Sequence, residues 1–155
     1  MSSTNFDFDL IVIGAGYGGF DAAKHAAENG LKVGIIESRE MGGTCVNRGC
    51  VPSKALLAAS GKVRELADVE HLAQFGIHGA PVRFERQKIA DHAIKLVSNV
   101  RNNLTKTLER VGVNILRGQG RLEGSQKVGL RGSNGVDRIL TAKDVILATG
   151  SDPFV

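Results

Sequence analysis

Phe8-Asp9-Leu10-Ile11-Val12-Ile13-Gly14-Ala15-Gly16-Tyr17-Gly18-Gly19 is the stretch that decides the fold. Phe8 to Ile13 is a near-continuous apolar run with β-branched residues, the pattern of a strand buried on both faces of a parallel sheet. It leads directly into GxGxxG at Gly14, Gly16 and Gly19. In such a turn the first glycine permits the sharp reversal, the second lets the backbone approach a pyrophosphate, and the third lets helix and strand pack closely. The anion then faces a helix N-terminus. GxGxxG alone is weak in a chain with 20 glycines, so its surroundings decide.

Those surroundings agree with it. Phe20 to Asn29 carries Ala22, Ala23, Ala26 and Ala27, small residues suited to close packing on a sheet, and Gly30 stands where a helix cap belongs. Lys32 to Ile36 is a second apolar strand, ending at Glu37. An acid there can accept both hydroxyls of an adenosine ribose and would repel a 2′-phosphate. Strand, glycine turn, helix, strand and acid follow in the order of a dinucleotide site.

The next segment is Gly42-Gly43-Thr44-Cys45-Val46-Asn47-Arg48-Gly49-Cys50-Val51-Pro52-Ser53-Lys54, which holds both cysteines of the protein. Positions five apart on a regular helix are separated by about 7.5 Å of rise, beyond the roughly 4.4–6.8 Å between α-carbons that a disulfide allows. A bond between Cys45 and Cys50 therefore needs a bent helical entry, and Gly49 sits at the bend. Such a bond is strained and reducible. Cys50, at the first turn of the following helix, is placed to favour a thiolate. Spacing alone fits two unrelated buried thiols equally well. A zinc site fits less well, since a closed one takes four ligands and no histidine pair stands nearby.

A helix is expected from Pro52 to Leu66, a loop or short helix over 68–84, and a long helix from Glu85 to Val111, with Ile89, Ala93, Leu96, Val100, Leu104 and Leu108 at helical spacing and Gly112 as the stop. Strands are expected at Val113–Leu116, Lys127–Leu130, Val136–Leu140 and Val145–Leu147, with a hairpin turn at Gly132-Ser133-Asn134-Gly135. His25, His71, His78 and His92 have neither ligand nor triad spacing, so no metal is expected. The fold expected is α/β: a Rossmann-like parallel sheet with crossover helices and a small antiparallel β-meander.

The 155 residues are 42% hydrophobic and 23% charged, which suits one globular domain. No apolar run approaches the roughly 20 residues of a membrane span. The first apolar stretch follows Asp7 and Asp9 rather than basic residues, unlike a signal peptide. These features point to the cytoplasm, where a cysteine pair is more often catalytic than structural. Net charge is +4, but the basic residues are scattered among acids and no tryptophan accompanies them, which speaks against nucleic acid as a partner.

Three landmarks coincide: GxGxxG with Glu37, the Gly42–Lys54 motif, and the closing Ala148-Thr149-Gly150-Ser151 turn. Together they resemble the N-terminal FAD-binding region of the flavin disulfide reductases (class I pyridine nucleotide-disulfide oxidoreductases), and within that family the dihydrolipoamide dehydrogenase branch. The resemblance covers nearly the whole chain. Pro52-Ser53-Lys54-Ala55-Leu56-Leu57 favours the lipoamide branch, although mercuric reductases share Pro-Ser-Lys and stay open, as does a dinucleotide-binding module with incidental thiols. Arg48, Ala58-Ala59-Ser60 and Arg101-Asn102-Asn103-Leu104 resemble plastid and photosynthetic-bacterial members, and the start of the chain looks unlike a transit segment, which favours a bacterial cytoplasm. Tyr17 and Met41 stand where proline and leucine are more usual.

The resemblance implies that Gly14, Gly16 and Gly19 hold the FAD pyrophosphate, Glu37 the adenosine ribose, and Thr44 the cofactor beside the dithiol. Cys45 would be the interchange thiol, Cys50 the thiolate against the flavin, and Lys54 a neighbour of flavin N5. Gly118 would meet the adenine, and Thr149 and Gly150 would close over the cofactor. The implied reaction oxidises dihydrolipoamide through a Cys45–Cys50 disulfide and FAD, with NAD⁺ as final acceptor. Its partners would be lipoyl domains of 2-oxoacid dehydrogenase or glycine cleavage complexes, and a second subunit in a homodimer. Residues 1–155 would be the N-terminal segment of the FAD-binding domain. With the NAD-binding and dimerisation domains outside it, this chain alone is expected not to turn over.

Overall fold

The computed structural model describes residues 5–132, 135 and 137–152. The chain opens with β1 (Phe8–Ile13), α1 (Tyr17–Glu28) and β2 (Val33–Glu37), a parallel crossover unit. Two helices follow end to end, α2 (Gly43–Arg48) and α3 (Cys50–Ala67), then a short α4 (Val69–Gln74) and the long α5 (Arg86–Arg110). The chain closes with β3 (Asn114–Gly124), β4 (Lys127–Gly132) and β5 (Asp137–Leu147).

The strands form two sheets sharing two long members. The N-terminal part of β3, then β2, β1 and the C-terminal part of β5 lie side by side, all parallel. Beyond Arg117, β3 leaves that sheet and pairs antiparallel with β4, which pairs antiparallel with the first part of β5, closing a ring of five strands. The α/β architecture with its parallel sheet, crossover helix and meander is the one expected.

Alternation along the strands divides the core. Leu10, Val12, Val33 and Ile35 face α1 and α5, where Phe20, Ala23, Met41, Leu108 and Val113 complete one cluster. Ile11, Ile13 and Ile36 face the meander and pack on Val128, Leu130 and Ala142. The parallel sheet is thus covered on both faces, as its uninterrupted apolar strands require. Met41, the departure from leucine, is fully buried in the first cluster. Tyr17 begins α1 and is 43% exposed.

Gly30 and Gly112 stop α1 and α5 at positive φ, donating to Ala27 O and Glu109 O respectively. One expectation is met, the short helix within 68–84, and two are corrected. The 68–84 segment contains α4, whose first turn is capped by Asp68 accepting the His71 amide at 3.2 Å. The strand expected at Val113–Leu116 begins at Asn114 and runs on to Gly124, 11 residues in all. The strands expected at Val136–Leu140 and Val145–Leu147 are one, β5, which passes from β4 to β1 at Ala142. Of the expected hairpin turn, Gly135 N donates to Gly132 O, while Ser133, Asn134 and the adjoining Val136 lie outside the described residues.

α3 and α5 pack together beside the sheet. No residue of α3 is buried, and Leu56, Leu57 and Ile94 are exposed on this pair. Among the described residues no helix is long and apolar enough to cross a membrane.

Candidate functional site

The C-terminal ends of β1 and β2 open into a cavity of about 520 Å³, within the roughly 300–1,000 Å³ usual for small-molecule sites. Gly14, Gly16, Glu37, Thr44, Gly118, Thr149 and Gly150 line it, joining residues more than 130 positions apart. Gly19, Cys45, Cys50 and Lys54 are not among the lining residues. The lining residues that the sequence does not single out for the cofactor include Arg39, Glu40, Arg48 and Asp152.

The three glycines of the first turn do different jobs. Gly14 has φ +103°, and a Cβ there would lie 2.2 Å from Ala148 O. Gly19 lies against the same turn, where a Cβ would stand 1.9 Å from Gly14 O. These two are demanded by packing. A Cβ on Gly16 would meet nothing within 4 Å, yet Gly16 lines the cavity and precedes α1 without a side-chain cap. The space beside Gly16 thus adjoins the start of a 12-residue helix that has no side-chain cap, the end of a helix that favours an anion.

Glu37 closes the second wall. Its Oε2 accepts the Ala15 amide at 2.7 Å and its Oε1 the Arg39 amide at 2.7 Å. Each carboxylate oxygen carries a second lone pair, so ligand hydroxyls can still be accepted. The Ala15 bond ties the acid directly to the glycine turn.

α2 docks on that turn. Gly42 N donates to Ala15 O at 2.8 Å, Gly42 forms an isolated parallel bridge with Gly16, and a Cβ on Gly43 would stand 3.0 Å from Gly16 Cα. Asn47 Nδ2 donates to Met41 O and Gly43 O, both at 2.9 Å, and so pins the loop to the helix, while its Oδ1 is buried without a partner. Gly49 separates α2 from α3, with a Cβ position 3.1 Å from Thr44 O. The anticipated bend therefore falls at Gly49, and Cys50 is the first residue of α3.

Both cysteines are free thiols, Cys45 half-buried and Cys50 exposed. They are not joined by the expected disulfide in this structure, and a side-chain hydrogen bond to Cys50 is the leading influence on Cys45. That hydrogen bond to Cys50 raises the pKa of Cys45 above the ordinary thiol value. Burial and the charge of Cys50 act in the same direction, against smaller lowering effects of the Cys50 backbone and Lys54. Lys54, exposed one turn into α3, contributes only through its charge. Among the described residues no group of three His, Cys, Asp or Glu could hold a metal ion.

A covered parallel sheet, a glycine turn with its acid, and two thiols on the successive helices α2 and α3 are the features of a dinucleotide-binding domain of a redox protein. The chain belongs to the pyridine nucleotide-disulphide oxidoreductase family, whose model matches residues 8–155. It is 55% identical over 153 residues to a dihydrolipoyl dehydrogenase of Synechocystis sp., covering 99% of this chain and 32% of that protein. It is 54% identical to the chloroplastic dihydrolipoyl dehydrogenase 2 of Arabidopsis thaliana, with 99% and 26% covered. A dihydrolipoyl dehydrogenase of Chlamydia trachomatis is 41% identical, with 96% and 31% covered. The chain spans about a third or less of the length of these relatives.

Proposed function

We propose that this chain is the N-terminal part of the FAD-binding domain of a dihydrolipoamide dehydrogenase, and that its cavity takes FAD. The carrying observation is the stitch between Gly42–Gly43 and Ala15–Gly16, which sets the thiol-bearing helix against the wall of a dinucleotide cavity. The residues fit the cofactor: Gly16 leaves space at the turn where a diphosphate would come close, and Glu37 offers acceptors for ribose hydroxyls. Gly14 and Gly19 form that turn, Thr44 flanks the dithiol, Gly118 borders the adenine end, and Thr149 and Gly150 form the closing edge. When bound, FAD supplies a two-electron acceptor for the dithiol and a hydride donor to NAD⁺.

The dithiol chemistry follows from the thiols themselves. In the oxidised state a thiolate of dihydrolipoamide attacks Cys45 Sγ, forming a mixed disulfide and releasing Cys50 as a thiolate. The second substrate thiolate attacks its own sulfur in that mixed disulfide, releasing oxidised lipoamide and leaving Cys45 to take up a proton. The substrate has lost two electrons and the cysteine pair has gained them as a dithiol. The raised pKa of Cys45 suits the protonated thiol that this step leaves at that position. Lys54 adds positive charge nearby.

The wider assignments belong to the same proposal: NAD⁺ as final acceptor, lipoyl domains of 2-oxoacid dehydrogenase or glycine cleavage complexes as substrate carriers, a homodimer, and a bacterial cytoplasmic setting. The names of the relatives favour the lipoamide enzyme over a mercuric reductase. Mixing the chain with FAD and desalting tests the cofactor directly. Flavin is expected to stay bound and to resist displacement by NAD⁺; retention of NAD⁺ in its place would favour a nicotinamide module with incidental thiols.

A further inference from the structure

We propose that Arg48 is a cofactor-binding residue, its guanidinium pairing with the diphosphate of the dinucleotide. This rests on the FAD reading above and adds to it a contact that the glycine turn does not make. On α2, Thr44 and Arg48 are four residues apart and so share one helix face. Both line the cavity, and the Gly42–Ala15 bond presses that helix against the turn at Gly16. Arg48 therefore stands on the wall beside the start of α1.

Charge within the cavity singles it out. Two cations line it, Arg39 and Arg48. Arg39 faces Asp152 at 3.7 Å. Of the lining acids, Glu37 is held by two amides, and Glu40 shares the wall of Arg48 but makes no ion pair with it. Among the described residues Arg48 has neither an ion pair nor a side-chain hydrogen bond, and it is exposed. A guanidinium presents paired N–H donors that match phosphate oxygens. A ligand with two phosphate charges, held at the glycine turn, fills both vacant roles: acceptor for the α1 amides and counter-ion for Arg48.

FAD binding to wild type, Arg48→Lys and Arg48→Val, followed by flavin fluorescence at low and high salt, tests this. Arg48→Val should weaken binding about tenfold at low salt and flatten its salt dependence, because the screened charge contact is gone. Arg48→Lys should recover most of the affinity. Arg48 is exposed, so all three proteins should give the same circular dichroism. Wild-type affinity and salt dependence in Arg48→Val would overturn the proposal while leaving the FAD reading intact. So would a loss that lysine fails to restore and salt does not modulate. Absence of FAD binding by folded wild type would overturn both.

Discussion

The Glu37 carboxylate is bonded to the Ala15 amide at 2.7 Å, so the acid at the end of β2 braces the glycine turn at the end of β1. Its other oxygen holds the Arg39 amide at 2.7 Å. Glu37→Ala removes both acceptors and should cost about 1–3 kcal/mol of stability, read as a lower denaturant midpoint, along with weaker FAD binding. Unchanged stability would show that the brace carries no energy.

Gly19 and Gly16 should respond oppositely to the same added methyl. In Gly19→Ala the new Cβ would lie 1.9 Å from Gly14 O, so backbone must move. A loss of about 3 kcal/mol or more, or failure to fold, is expected. In Gly16→Ala the methyl meets nothing, so thermal stability should stay within about 1 kcal/mol of wild type while dinucleotide affinity falls. Equal stability losses in the two variants would contradict this division of labour.

Much of this site is legible in the amino-acid sequence because it is local. Strand, turn, helix and acid lie within Phe8 to Glu37, and each residue's task follows from its place in one crossover unit. β5 is less legible. Lys143 and Asp144 interrupt its apolar pattern, but Lys143 pairs with Asp9 and the Asp144 backbone registers with Leu10, contacts made across the whole chain. In the sequence Arg48 marks only a branch of the family, and the register of α2 on the glycine turn is what puts it in the cavity.

Cys45 should titrate above an ordinary thiol, because its side-chain hydrogen bond with Cys50 raises its pKa. The pH profile of Cys45 alkylation, followed by mass spectrometry of peptides, should therefore have its midpoint raised. Cys50→Ala removes the leading cause and should bring the midpoint down towards the ordinary value. A midpoint indifferent to that substitution would break the link between the two thiols.

Asp7 ties the N-terminal edge to β5, its Oδ2 accepting from Thr141 N at 2.8 Å and Thr141 Oγ1 at 2.9 Å. The backbone bond chiefly, then the hydroxyl, holds its pKa below the ordinary aspartate value. A depressed folded pKa gives stability that is complete above the unfolded pKa and lost as pH falls through the folded one. The stability gap between wild type and Asp7→Ala should be constant at neutral pH and shrink in acid below the ordinary carboxylate range. A gap that stays constant into strong acid would show that the ionised carboxylate contributes nothing.

The central claim is that the thiol pair and a bound flavin form one redox unit. The most direct measurement is an anaerobic visible absorption spectrum of the chain loaded with FAD, before and after one equivalent of a small dithiol. A retained flavin band that gains a long-wavelength shoulder on reduction, and fails to gain it in Cys50→Ala, is the expected result. A flavin spectrum indifferent to the dithiol and to Cys50 would contradict the account.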